Sequence, residues 1–146
     1  GGLKWTDDIE NIVATVGKNA ILNVFFGTGI QTAGKTTWFM GLANSSPTVA
    51  AGDTMGSHSG WAEKTGYSQS TRPAVAFSAA SSGSKATNSA VSFSINATAT
   101  IGGAFVANNS TKGETSSTLY SVGAFTVGDK IVTSGDTINV TYTASV

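Results

Sequence analysis

The sharpest chemical pattern in the sequence is Gly29-Ile30-Gln31-Thr32-Ala33-Gly34-Lys35-Thr36, which fits the phosphate-binding form G-x-x-x-x-G-K-[ST] in full. That loop works when a strand enters it and a helix leaves it, because backbone N–H groups and the helix N-terminus together hold the phosphates. Here the order is inverted. A helical pattern precedes the loop and the strand pattern Thr36–Ala43 (TTWFMGLA) follows it. The match therefore reads as a helix-to-strand connection in a Gly/Thr-rich chain, and no nucleotide cofactor is expected.

His58 is the only histidine, in Met55–Gly60 (MGSHSG). One histidine without cysteine or clustered acids does not make a zinc site. Asp53 is close in sequence and serine is abundant, but no G-x-S-x-G elbow positions a nucleophile. The acids are Asp7, Asp8, Glu10, Asp53, Glu63, Glu114, Asp129 and Asp136. Most fall at expected caps and turns, where carboxylates accept backbone N–H bonds. Neither a calcium loop nor a carboxylate pair for glycoside hydrolysis emerges from their spacing. Sequons at Asn44, Asn96, Asn108, Asn109 and Asn139 follow from the Ser/Thr content. On these residues the chain reads as a non-enzyme without metal or cofactor.

The composition fits that reading. Charged residues make up 11% of the 146 positions, against about 25% in ordinary domains, and the net charge is zero. Ser and Thr together exceed a quarter of the chain, alongside 18 Gly. The eight basic residues are scattered singly, which argues against nucleic-acid binding. No apolar run reaches membrane-spanning length and no signal-peptide pattern opens the chain, so no membrane partner is expected. With no cysteine, stability must come from packing or assembly. A near-neutral surface favours a protein that lives within an oligomer.

The elements that would carry these residues are mostly strands. Thr98–Asn108, Thr118–Val127 and Thr137–Ser145 alternate with little charge between Gly, Asn, Ser and Asp punctuation. Asn88–Asn96 alternates Val91, Phe93 and Ile95 against Ser92 and Ser94. Pro73–Ala79 and Asp129–Thr133 add short strands, and Thr36–Ala43 is apolar enough to be buried on both faces. One helix is predicted, capped by Asp7 with Glu10 three residues on, carrying Ile9, Ile12, Val13, Val16, Ala20, Val24 and Phe25, weakened at Gly17 and ended by Gly27 and Gly29. The prediction is one domain over 1–146, mainly β, an antiparallel β-sandwich or jelly-roll-like fold with an N-terminal arm and helix at 1–27. A long irregular loop spans 44–72. Trp38 is assigned to the core. Trp61, Tyr67, His58 and Arg72 in the loop, with Leu3 and Trp5 in the arm, are the candidate interface residues.

The order of these features resembles a family of small structural proteins of tailed bacteriophages, described as capsid decoration or tail-fibre-like. The resemblance rests on Val24–Thr28, Trp38–Ala43, Gly66-Tyr67 with Arg72, Val75–Phe77, Asn88, Ile101–Phe105, Leu119–Ser121 and Gly135–Thr137, and covers nearly the whole chain. Arg72 follows Tyr67 at a longer spacing than the family pattern has. The resemblance implies a virion protein on the capsid surface that cements the shell. Its partners would be the major capsid protein and further copies of itself, as a trimer. The second reading it carries is a tail or tail-fibre component that binds host glycans through Trp61 and Tyr67.

Overall fold

The computed structural model describes residues 2–26, 37–79 and 81–145. The phosphate-loop match at 29–36 and the expected helix stops Gly27 and Gly29 lie outside these residues. In chain order the elements are β1 (Leu3–Val13), α1 (Thr15–Phe26), β2 (Trp38–Asn44), β3 (Glu63–Lys64), β4 (Ala74–Val75), β5 (Ser84–Ala86), β6 (Val91–Ser94), β7 (Ala99–Ala107), β8 (Leu119–Phe125), β9 (Lys130–Val132), β10 (Thr137–Thr141) and β11 (Thr143–Ser145). The fold is mainly β and sandwich-like, as the strand patterns predict.

The main sheet runs β3-β2-β7-β8-β1-β10-β6, with β4 also on β2 and β9 also on β7, while β11 and β5 form a separate pair. It curls because β1 serves two neighbours in succession. Its first half, Leu3 to Asp8, pairs with β10, and its second half, Ile9 to Val13, pairs with β8. A strand that changes partners midway carries the chain from one layer of a sandwich to the other. The β1–β10 pairing is parallel, and the other described ladders are antiparallel.

The expected helix from Asp7 is a correction. Residues up to Val13 are strand, and the helix begins only at Thr15. Along β1 the residues Trp5, Asp7, Ile9, Asn11 and Val13 turn inward with period two, and Ile12 is exposed. Asp7 and Asn11 occupy inward positions for specific bonds and so break the apolar alternation that would have marked a strand. Helix α1 then lies on β8. Ala14 N–H donates to Tyr120 O at 3.1 Å, and a β-carbon on Gly17 would come within 2.5 Å of Tyr120 O. Gly17 is thus where helix and strand backbones touch.

Two apolar clusters flank β2 and β7, which accounts for their near-continuous apolar runs. Met40, Leu42, Ile101, Ala104 and Val106 face the interior of the curl, with Phe93, Ile95, Ile138, Val140 and Tyr142. Ala43, Phe105 and Ala107 face outward against Ala14, Met55, Trp61, Leu119 and Val122. The segment between β2 and β4 covers that outer face. The sequence reads it as a long irregular loop reaching to partners, but its apolar side chains fold back onto the sheet.

Candidate functional site

The predicted interface residues divide into two groups. Trp61, Tyr67 and Arg72 are buried within the chain, which corrects the expectation that they are presented to partners. Trp61 stacks on half-buried His58 with ring centroids 3.8 Å apart and packs against Phe105. Its indole N–H donates to Asp53 Oδ2 at 3.0 Å, and that oxygen also accepts from Ala50 N–H. His58 Nδ1 lies 2.9 Å from Trp61 O. A carbonyl only accepts, so Nδ1 carries the proton. Asp53 thus serves Trp61 rather than His58, and the two do not form the start of a Ser-His-Asp relay.

Arg72 is the centre of the covering segment. Its Nε and Nη2 donate to Glu63 Oε1 and Oε2 at 2.9 and 2.7 Å, the parallel fork that suits a guanidinium and a carboxylate. Nη1 donates to Asn109 O and Nη2 to Glu114 O, and the cation lies over the Phe105 ring. Glu63 Oε2 also accepts from Gly113 N–H. These bonds clamp the covering segment to the loop between β7 and β8. Tyr67 sits edge-on to Phe93 with Lys112 Nζ 3.9 Å above its ring. Burial, reinforced by Glu63 and opposed by Arg72, raises its hydroxyl above the ordinary range. A charge-poor chain has spent its charges on internal joints.

Asp129 and Asp136 follow the same use. Asp129 accepts from Ser46 N–H and Oγ, and Asp136 accepts from Thr133 N–H. Among the described residues no group of three or more metal-ligating side chains comes together. No described helix is long and apolar enough to cross a membrane.

The second group lies at the start of β1 and does face outward. Leu3 is 63% exposed and Trp5 is half-buried. Trp5 Nε1 points at Ile131 O, and Lys130 Nζ sits 5.0 Å from the centre of its ring. Two residues on, Asp7 gathers the turn between β8 and β9. It accepts from Thr126 Oγ1 at 2.7 Å, Val127 N–H at 3.1 Å and Lys130 Nζ at 3.0 Å. Burial opposes ionisation of Asp7, but these bonds together outweigh it and hold the carboxyl below its usual range. The buried ion pair fixes the turn; Val127 within it is 77% exposed, and Ile131 in the adjoining β9 is 67% exposed. Sequence reasoning named Leu3 and Trp5 but missed Asp7, Lys130, Val127 and Ile131. The available signal was a pair of large apolar residues flanking Gly128-Asp129-Lys130, a stretch that should otherwise be polar.

Comparison with family models, with curated proteins and with solved structures finds no match.

Proposed function

We propose that the chain is a structural protein of a tailed-bacteriophage virion. In this reading it is a capsid cement, or decoration, protein that bridges major capsid subunits on the head shell as a homo-oligomer, a trimer. Its work is mechanical: a stiff body carries apolar side chains to the joint between neighbours. The observation that carries the reading is the exposure of the large apolar side chains Leu3, Val127 and Ile131 on elements that the buried Asp7–Lys130 pair ties together. Exposed apolar side chains on a rigid frame are the usual substance of an interface core. Many such contacts, repeated over a shell, add through multivalency. The sequence resemblance across nearly the whole chain supplies the virion context. The glycan-binding alternative used Trp61 and Tyr67 as its platform, and both are buried.

The test uses capsids made without this protein, challenged by heat and osmotic shock with and without the purified chain added back. Restored resistance, with antibody label on heads rather than tails, is the expected result. Capsids that gain nothing, or label confined to tails, would sink the cement reading.

A further inference from the structure

A sheet edge presents unpaired N–H and C=O groups that any extended chain can use. The main sheet has two terminal edges. On β2 the outer edge is covered by the two-residue strands β3 and β4. At the opposite end is β6, whose Val91 and Phe93 side chains are buried while Ser92 and Ser94 are exposed. The covering segment reaches this edge too. Ser68 N–H donates to Ser94 O at 2.8 Å, and Asn96 N–H donates to Gly66 O at 3.1 Å.

Beyond them along β6 stands the side chain of Gln69. Its Nε2 donates to Ser92 O at 3.2 Å, and its Oε1 accepts from Ser94 N–H at 3.2 Å. A carboxamide carries the same donor and acceptor as a peptide group. Gln69 therefore occupies the place that one peptide of a further strand would take, and closes the ladder without extending it.

We propose that Gln69 is an edge plug that keeps β6 from pairing with β6 of a second copy. The β6 edge is then a latent self-association site, separate from the exposed residues at Leu3, Val127 and Ile131 and independent of the virion reading. A second copy is the fitting occupant for two reasons. Antiparallel pairing about a twofold axis at Ser92 brings the Ser92 main-chain groups of both chains together. The outward side chains of β6, Ser92 and Ser94, are small and uncharged, and the chain has no net charge to oppose its own approach. Natural edges are commonly protected by charge or proline, and β6 has neither.

The experiment removes the plug and asks whether the edge pairs. Gln69→Ala leaves Ser92 O and Ser94 N–H without partners. Gln69→Leu keeps an uncharged side chain of similar bulk that neither donates to Ser92 O nor accepts from Ser94 N–H. Each is studied by sedimentation velocity across concentration, with circular dichroism to establish folding. A Ser92→Cys substitution in each background reports β6–β6 contact as an interchain disulfide. The expected result is at least tenfold stronger self-association than wild type, with the disulfide formed only in the unplugged backgrounds. Should Gln69→Ala not fold, Gln69→Leu carries the test. A folded variant that sediments as wild type overturns the proposal, and so does association without the β6–β6 disulfide.

Discussion

The ring of Phe105 occupies the space that a β-carbon on Gly41, its cross-strand partner, would need. The glycine lets the ring lie down on β2, where Trp61 packs beside it and Arg72 covers it. One missing methyl group thus seats both the aromatic and the ionic joints of the covering segment.

Gly41→Ala is therefore expected to destabilise the fold by about 1–3 kcal/mol through overpacking, measured by urea denaturation. Gly52→Ala, in the same covering segment but with open space around the new carbon, should stay within about 0.5 kcal/mol of wild type. Equal effects from the two would remove the special role of the Gly41–Phe105 contact.

Arg72→Met keeps the length of the side chain but strands Glu63 as a partly desolvated charge, beside Asn109 O and Glu114 O without their donor. The cost is expected at about 3–5 kcal/mol, the range for removing one partner of a buried pair. Adding Glu63→Gln to the same chain should recover part of it. A double variant no better than Arg72→Met alone would show that the charge on Glu63 is not what the arginine answers.

Acid should weaken the protein in part through Asp7. The carboxyls of Asp7 and Glu114 are held low against burial by hydrogen bonds, and that of Asp136 is held low chiefly by the Thr133 N–H. A depressed native value means that the unfolded chain binds protons first as pH falls. The stabilisation is complete above the ordinary carboxylate value of about 4 and is lost progressively below it. Asp7→Asn should cost about 3 kcal/mol at neutral pH by leaving Lys130 buried without its partner. It should also flatten the acid side of a plot of unfolding free energy against pH. An unchanged acid slope in Asp7→Asn would contradict this.

Leu3→Ser combined with Ile131→Ser changes two exposed side chains, so thermal unfolding of the isolated chain should stay close to wild type. The same double variant should lose self-assembly in light scattering and fail to restore shock resistance to deficient capsids. Retained assembly would move the interface elsewhere on the surface.

The strands that were legible in the sequence are those whose alternation is unbroken. Val91, Phe93 and Ile95 mark β6, and the nearly continuous apolar run of β2 marks a strand with both faces covered. β1 was not legible because Asp7 and Asn11 sit at inward positions, while Ile9, Ile12, Val13 and Val16 happen to fall at helical spacing. The covering segment misled for a related reason. Local pattern reports exposure only for regular elements, and Trp61, Tyr67 and Arg72 are buried by a fold-back that no period encodes. The clue within reach was the pair Glu63 and Arg72 bracketing Tyr67, opposite charges in a chain that uses few. The apolar residues around the turn at Gly128 escaped notice because the acid that holds the turn, Asp7, lies at the other end of the sequence.

That last separation bears on the order of events during synthesis. Thr141 Oγ1 reaches Asp7 O across 134 residues of sequence, and the first half of β1 finds its parallel partner only in β10. A nascent chain therefore carries the first half of β1 without its partner until β10 has followed. Long-range closure of this kind is slow, and during that interval Leu3 and Trp5 are free to meet other chains. The rate of translation between β1 and β10, and any chaperone that shields an unpaired strand, thus act on the yield of correctly closed protein.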